Sequence, residues 1–267
     1  MNRHIVLTLG RSGSNTLCDM LNQHPEVLNF GEVLGEWNQI RKVQRRLRLY
    51  RKSDTAYLDR VLLDPKFARF ANMYRSTDKR RKNQPEAVKV FRNIETYGVK
   101  DFALNFERYG LRQYLKDRPQ IKVIGLIRAN VADRLVSTLM LGNTGVVAVR
   151  DDTADTDIQL HVEPPEFLRL LKAIDRENTL LSNMLNEIEA DRLMVISYDD
   201  LFRDNDTRQK IMDDCFRFLD VHPIETRTRM KKILKKPISE LIENYGDCIE
   251  SIRGSQFEVY FAEDIEA

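Results

Sequence analysis

Short apolar runs alternate along the chain with longer stretches in which apolar residues return every three or four positions. Three of these runs are rich in β-branched residues: 5–9, 121–127 and 193–197. A fourth, at 87–91, shows the same pattern more weakly. Such runs are typical of strands buried on both faces of a parallel sheet. Helical patterns lie between them at 16–22, 102–115, 131–141 and 167–188. The alternation predicts a three-layer α/β fold with a mostly parallel central sheet flanked by helices.

Two regions interrupt this alternation. Residues 38–83 are strongly basic, and the seven Lys and Arg side chains between Arg41 and Lys52 surround one apolar helical face. That pattern fits either a solvated helix packed on the core or a basic wall that attracts an anionic substrate or an acidic lipid surface. Residues 142–163 contain an acidic stretch and fit either a hairpin or a loop. Neither region has the composition of a flexible linker. We therefore predict one domain over 1–267, with a basic helical insertion at about 38–83 and a loop or hairpin at about 142–163.

Charge and cysteine usage narrow the possible function. The 43 Lys and Arg residues nearly balance the 41 Asp and Glu residues, and a net charge of +2 argues against a nucleic-acid partner. No apolar run is long enough for a membrane-spanning helix, and the five-residue apolar run at the start is too short for a signal peptide. The three cysteines lie far apart without metal-ligand spacing. We therefore expect buried, reduced thiols in a cytoplasmic protein without an integral membrane segment.

A glycine-containing segment at residues 10–17 follows the first predicted strand and opens a predicted helix. Gly10 and Gly13 allow a tight turn whose backbone N–H groups, with the positive end of the helix, can hold an anion. Arg11 adds a guanidinium suited to phosphate or sulfate oxygens. Four further residues supply short polar side chains: Ser12, Ser14, Asn15 and Thr16. The arrangement is P-loop-like, but it is not a Walker A loop because only two residues separate the glycines and no Lys follows Gly13.

A second polar segment follows the strand predicted at 121–127. Arg128 stands where that strand ends, and Ser137 lies about two turns into the next helix, roughly 10 Å from its start. If this helix packs beside the glycine-containing loop, Arg128 and Ser137 can converge on a second anion.

Together these two segments resemble those of sulfotransferases that use 3'-phosphoadenosine 5'-phosphosulfate (PAPS). Residues 10–17 resemble the family's 5'-phosphosulfate loop, and residues 126–137 resemble its 3'-phosphate motif, in which Arg128 and Ser137 would hold the 3'-phosphate. The R-S-G-S loop, the later His24-Pro25 and Gly31-Glu32 are most similar to bacterial carbohydrate sulfotransferases. The resemblance implies PAPS as cofactor, no metal, and a small-molecule or glycan acceptor, with the hydroxyl on a carbohydrate or glycolipid.

Sulfuryl transfer needs stabilisation of the leaving phosphate and a base for the acceptor hydroxyl. Arg11, which stands where many members of the family have Lys, is the expected stabiliser. The carbohydrate branch of the family places a carboxylate where Glu32 stands, so Glu32 is the favoured base. Glu36 and His24 remain the alternatives.

Two more cations are candidate ligands. A Lys inside a buried strand needs a partner, so Lys89, in the run predicted as a weak strand, is expected to reach the acceptor or a sulfate oxygen. Arg253 precedes Gly254-Ser255 in a tail that resembles the family's C-terminal end, and it is a candidate for the 3'-phosphate. Two other classes stay open: a divergent P-loop kinase, against which the missing Walker lysine counts, and a non-catalytic nucleotide-binding protein.

Overall fold

The computed structural model describes residues 1–36, 38, 41–42, 53–84, 87–144, 159–228 and 238–261. The chain divides into two compact units, the first formed by Met1–Ile127 with Leu180–Arg227 and the second by Arg128–Thr179 with Thr228–Ala267. The basic helix expected over 41–52 lies outside the described residues except for Arg41 and Lys42, and so does most of the loop or hairpin expected over 142–163. No helix in the described part of the chain is both long and apolar enough to cross a membrane.

The first unit contains a five-stranded parallel sheet in the order β2-β3-β1-β4-β5. The strands are β1 (Asn2–Thr8), β2 (Val27–Asn29), β3 (Thr96–Phe102), β4 (Ile121–Ile127) and β5 (Leu193–Ser197). All four strand pairs are parallel. β1 is central, and its Val6 lies opposite Lys100 of β3 on one side and Ile124 of β4 on the other.

Helices lie between these strands and after β5. Those that lie wholly in the first unit are α1 (Ser14–Leu21), α2 (Asp54–Leu63), α3 (Pro65–Arg81), α4 (Ala103–Arg108), α7 (Tyr198–Leu201) and α8 (Asn205–Phe218). Several begin at a side-chain cap: the Ser53 hydroxyl accepts from Ala56 N, and the Asp64 carboxylate accepts from Lys66 N. Such caps satisfy first-turn N–H groups and typically contribute about 1 kcal/mol each.

Both faces of the sheet are buried. On β1, Ile5 and Leu7 belong to a core cluster with α2, while Val6, which points the other way, belongs to a cluster with α1 and α8. Since successive strand residues alternate between faces, helices cover the sheet on both sides. The predicted three-layer α/β, P-loop-like fold is confirmed.

The second unit is helical in its described residues. It contains α5 (Val131–Thr144), the first part of α6 (Pro164–Asn186), α9 (Ile238–Leu241) and α10 (Tyr245–Ile252). Its core includes Leu135, Phe167 and Ile252, all fully buried. Helix α6 begins at Pro164, as the Pro-Pro pair at its start favours.

One predicted strand is wrong, and one predicted helix is shorter than expected. Residues 88–90 form no strand, and a short 3-10 turn follows at Phe91–Asn93. The strand is Thr96–Phe102 instead, and the helix expected over 102–115 runs only from Ala103 to Arg108. Gly98, Lys100 and Asp101 hide this strand because they interrupt its apolar pattern. Gly98 is required there, since a Cβ would lie 2.7 Å from the carbonyl carbon of His4 on β1.

Candidate functional site

The loop between β1 and α1 turns sharply at two left-handed residues. Gly13 has φ 76°, and a Cβ there would lie 2.8 Å from Cζ of Phe202, so glycine is favoured on both counts. The other left-handed residue is Arg11, with φ 63°, whereas Gly10 was expected to serve this turn. A non-glycine residue in this region is strained by roughly 1 kcal/mol or more.

Buried hydroxyl groups hold this loop on the sheet. Ser12 is 1% exposed, and its hydroxyl lies 2.8 Å from the Leu9 carbonyl oxygen and 2.5 Å from the hydroxyl of Thr8. Thr8 in turn lies within donating distance of the Leu126 carbonyl on β4, at 2.8 Å. The side chain of Ser12 therefore supports the loop from inside, so its predicted contribution to anion binding rests on its backbone.

The N-terminus of α1 suits an anion. Gly13 is the N-cap residue and supplies no side-chain hydrogen bond to the helix. Thr16 N donates back to the Gly13 carbonyl at 3.0 Å, but the N–H groups of Ser14 and Asn15 stand too early in the helix for an intrahelical acceptor. These two N–H groups can donate to a phosphate or sulfate oxygen, and the partial positive charge of the helix end favours the anion.

An ion pair lies beside this helix end. The ammonium of Lys100, on β3, donates to Oε1 of Glu32 and to Oδ1 of Asn15, the latter at 3.2 Å. The side chain of Lys100 is only 3% exposed and that of Glu32 is 18% exposed. The structure thus brings the favoured base together with a buried cation and with one of the predicted loop residues.

Asp101 fixes the backbone just after Glu32. Its Oδ2 accepts from Val33 N at 2.9 Å and from Leu34 N at 2.7 Å. Its Oδ1 accepts from Phe102 N and from Asn105 Nδ2. Burial raises the pKa of the Asp101 carboxyl, and these four donors oppose the rise because they favour the ionised form.

Asparagine side chains fix the backbone just before Glu32. Gly31 takes φ 76°, and its N–H donates to Oδ1 of Asn29 at 2.9 Å. Asn29 and Asn22 exchange hydrogen bonds through Asn29 N and Asn22 Nδ2, which tie the end of β2 to the turn after α1. The Glu32 carboxylate is therefore positioned by contacts on both sides of it in the chain.

Sequence reasoning missed Lys100 and Asp101. The signal was present, because Lys100 is a charged residue in a run that includes Val99 and so needs a buried partner. That argument had been applied to Lys89 instead. Without the true bounds of β3, the sequence did not show which lysine lies inside a strand.

Lys89 and His24 serve the local structure. The Lys89 ammonium donates to the carbonyl oxygens of His24, at 2.7 Å, and of Val27, and burial lowers its pKa to about 7. The predicted place of Lys89 in a strand is therefore wrong, and its charge supports the turn between α1 and β2. His24 Nε2 donates to the His222 carbonyl while Nδ1 accepts from Glu26 N, and burial lowers its pKa. With both ring nitrogens engaged, His24 is poorly suited to be a base.

The remaining candidate base, Glu36, is exposed in the turn that follows Leu34. The structure therefore leaves Glu32 as the one of the three candidates that combines partial burial with a cationic partner in the described part of the chain.

The second unit holds the candidates for the 3'-phosphate. Arg128 directly follows β4 in the chain, is 6% exposed, and has its guanidinium 3.4 Å from the Asp133 carboxylate. Ser137 is buried in α5, six residues beyond the helix start and hence about 9 Å along its axis. Arg253 is instead exposed and pairs with Glu250 at 2.9 Å. Two of the three predicted ligands are therefore buried, and the third is at the surface.

Among the described residues, no three His, Cys, Asp or Glu side chains gather as a metal site would require. The expectation that no metal is needed stays a prediction. The three cysteines are free and buried, as expected.

Comparison with known proteins gives only structural likenesses. No family model and no curated protein matches the chain. A sulfotransferase from Alicyclobacillus acidocaldarius is 16% identical with a TM-score of 0.48, and the match covers 100% of this chain and 93% of that one. The sulfotransferase domain of the Synechococcus PCC 7002 olefin synthase is 16% identical with a TM-score of 0.44, covering 100% and 95%.

A third solved structure, the sulfotransferase STF9 from Mycobacterium avium, is 13% identical with a TM-score of 0.41, covering 99% of this chain and 76% of that one. At these identities and TM-scores, the likenesses do not bear on what this chain does.

Proposed function

We propose that this chain is a PAPS-dependent sulfotransferase that transfers a sulfuryl group to a hydroxyl of a carbohydrate or glycolipid. The observation that carries the proposal is the Glu32 carboxylate, paired with the buried ammonium of Lys100 beside the N-terminus of α1. A carboxylate, a cation and a helix end suited to an anion lie together within the first unit. This combination suits the deprotonation of a hydroxyl next to a negatively charged donor.

Two sets of residues are proposed as ligands of the donor. The loop that contains Arg11 and the N–H groups of Ser14 and Asn15 fit the 5'-phosphosulfate, because they offer a guanidinium and donors at a helix end capped only by glycine. Arg128 and Ser137 are proposed for the 3'-phosphate, as the sequence resemblance implies. When bound, PAPS supplies a sulfuryl group attached to a phosphate that leaves.

Glu32 is the proposed base. Lys100 contacts its Oε1, so Oε2 is the oxygen that we expect to accept the proton of the acceptor hydroxyl. A positioned base of this kind contributes typically 10²- to 10⁴-fold to the rate. The proton then leaves Glu32 for solvent.

We also propose that Lys100, besides pairing with Glu32, stabilises the negative charge on the sulfuryl group during its transfer. An ammonium has three N–H donors, and contacts with Glu32 and Asn15 use two of them. The third is assigned in this proposal to an oxygen of the sulfuryl group. Arg11 is proposed to stabilise the negative charge on the leaving phosphate. Its guanidinium stays protonated, so it does not donate a proton there.

A cytoplasmic setting belongs to the same proposal. The three buried thiols are free, which fits a reducing compartment.

Thermal stability with nucleotides separates sulfotransfer from the kinase alternative. We expect 3',5'-ADP without magnesium to stabilise the protein by about 2.7 kcal/mol at a concentration of 100 times its Kd. For a chain of this length, that corresponds to a rise in Tm of roughly 5 °C or more. Arg11→Ala is expected to abolish the rise, whereas Arg217→Ala, at an exposed position on α8, is a matched control that keeps it. Stabilisation by ATP with magnesium alone would instead favour a kinase.

Turnover separates an enzyme from a non-catalytic nucleotide-binding protein. Radiolabelled PAPS, offered with a panel of sugars and glycolipids, is expected to label at least one acceptor. Glu32→Gln keeps the shape of the side chain and is expected to lower kcat about 10²- to 10⁴-fold while 3',5'-ADP still stabilises the protein. Binding of 3',5'-ADP without labelling of any acceptor would favour the non-catalytic class, and unchanged turnover in Glu32→Gln would remove Glu32 as the base.

A further inference from the structure

Helix α3 presents one continuous face to solvent. Apart from Pro65 at its start, its exposed residues recur every three or four positions, which places them on the same side of a helix. They are Lys66, Arg69, Phe70, Met73, Tyr74, Thr77, Arg80 and Arg81. We call this set the outer face of α3.

The middle of the outer face is apolar. Phe70, Met73 and Tyr74 are 58%, 61% and 58% exposed, and they are neighbours at spacings of three and four residues. A single exposed apolar side chain is ordinary on a soluble protein, but three large ones in contact range form a patch. Such a patch indicates a surface that binds a partner or a membrane.

Both ends of the outer face are basic. Lys66 and Arg69 precede the apolar patch, Arg80 and Arg81 follow it, and no acidic residue lies on the face. The only acidic residue of α3, Asp78, is less exposed and pairs with Lys82 at 2.8 Å.

The opposite face of α3 is anchored to the first unit. Ala68, Ala71, Asn72 and Ser76 are buried, and Asn72 Nδ2 donates to the carbonyl of Lys89 at 2.9 Å. The outer face is therefore held outward by the fold and needs no rearrangement of the helix to meet a partner.

We propose that the outer face of α3 docks on the surface of an anionic lipid bilayer. Helices that lie in a membrane interface combine an apolar strip, which enters the boundary between headgroups and acyl chains, with Lys and Arg side chains that meet anionic headgroups. Phe70, Met73 and Tyr74 supply the strip, and the four cations lie on either side of it.

Charge disfavours two other occupants. A second copy meeting the same face would bring four positive side chains against four positive side chains. Nucleic acid would be attracted by the cations, but the near-neutral chain lacks the strong basic excess of a general nucleic-acid binder. An anionic bilayer satisfies the charges and the apolar strip together.

This inference stands apart from the proposed sulfotransfer, since it concerns a different surface and its test measures no activity. Co-sedimentation of the full chain with phosphatidylcholine vesicles, with and without phosphatidylglycerol, tests it. We expect binding to the vesicles that contain phosphatidylglycerol, weakened by added salt, and little binding to phosphatidylcholine alone.

Two double variants separate the charged and apolar parts of the outer face. Arg80→Gln with Arg81→Gln is expected to weaken binding about 30-fold, roughly fivefold for each charge near the surface. Phe70→Ser with Met73→Ser is expected to weaken it at least about tenfold. Tyr74 is left in place because it also lines a cavity of about 330 Å³ beside α3.

A matched control removes two exposed arginines elsewhere. Arg203→Gln with Arg217→Gln lowers the net charge equally, and it is expected to leave vesicle binding unchanged. Circular dichroism and Tm should be preserved in all three variants, because every altered side chain is exposed.

Three results would overturn the proposal. The first is equal binding to both kinds of vesicle, and the second is binding that neither double variant weakens. The third is self-association without vesicles that Phe70→Ser with Met73→Ser abolishes, which would assign the outer face to a second copy of the chain.

Discussion

The ion pair between Glu32 and Lys100 offers a stability test that does not depend on any activity. Glu32→Ala would leave the ammonium of Lys100, whose side chain is 3% exposed, with Asn15 Oδ1 as its described polar partner. Removing one member of a buried pair costs typically 3–5 kcal/mol, because the other charge stays away from water without compensation. We expect Glu32→Ala to lower the free energy of unfolding by about this amount.

The opposite deletion should cost less. Lys100→Met leaves a carboxylate that is 18% exposed and can regain part of its hydration. We expect a loss of about 2 kcal/mol, in the range for a charged hydrogen bond in a partly buried site. The double variant Glu32→Ala with Lys100→Met leaves no buried charge, so it should be more stable than the sum of the single losses by about 2 kcal/mol.

Equilibrium unfolding in urea, followed by circular dichroism, measures these changes through a double-mutant cycle. The pair Asp214–Arg217 on α8 is the matched control: its atoms lie 2.8 Å apart, but its side chains are 49% and 62% exposed. Its coupling should be under about 1 kcal/mol and should fall with added salt, whereas that of Glu32 and Lys100 should change little. The reasoning is refuted if both pairs give the same coupling or if Glu32→Ala costs less than about 1 kcal/mol.

Three further predictions concern single residues. Arg11→Gly removes a side chain from a left-handed position, so it should raise the free energy of unfolding, measured in urea, by about 1 kcal/mol. The same variant should abolish stabilisation by 3',5'-ADP, whereas Arg11→Lys should keep part of it. Equal loss of stabilisation in both variants would show that the planar guanidinium is required. Gly13→Ala should lower the free energy of unfolding by about 1–3 kcal/mol because of its positive φ and the approach of Phe202, and an unchanged urea midpoint would contradict the loop geometry. Burial lowers the pKa of His4 from 6.5 to about 3, so between pH 6.5 and pH 3 the unfolded chain binds a proton at His4 and the folded chain does not. The contribution of neutral His4 to stability is therefore full above pH 6.5 and is lost as the pH falls towards 3. The loss in the free energy of unfolding is about 2 kcal/mol at pH 5. Unfolding free energies measured across this range should show that difference between the wild type and His4→Gln, and parallel curves would disprove it.

The elements that the sequence predicted well are those whose pattern is local and regular. β4 and β5 have the bounds of the apolar runs at 121–127 and 193–197, and β1 includes most of the run at 5–9. β1 and β4 are buried on both faces, so nearly all their positions must be apolar, whereas β5, at the edge of the sheet, leaves Val195 51% exposed. The glycine-containing loop was likewise visible, because a strand, a tight turn and a helix follow each other directly.

β2 and β3 escaped sequence reasoning for physical reasons. β2 has three residues, too few for a period to show. β3 contains a glycine that gives room to His4 and two charged residues that serve the site, so its composition reflects contacts made across the fold. Residues that make contacts of this kind break the pattern by which strands are found.

The sequence by itself determined the parallel α/β class and the loop at 10–17, because each depends on neighbours in the chain, whereas Glu32 was favoured through the family resemblance. Only the tertiary structure decided which lysine meets that carboxylate. Lys89 and Lys100 both follow a valine in the sequence, yet one supports the turn after α1 and the other pairs with Glu32. Lys89 lies in no strand, whereas Lys100 lies in β3, whose register sets it opposite Val6 of β1 and so beside the helix that β1 leads into. Register is fixed by pairing between distant segments, which the local pattern of a single strand does not contain.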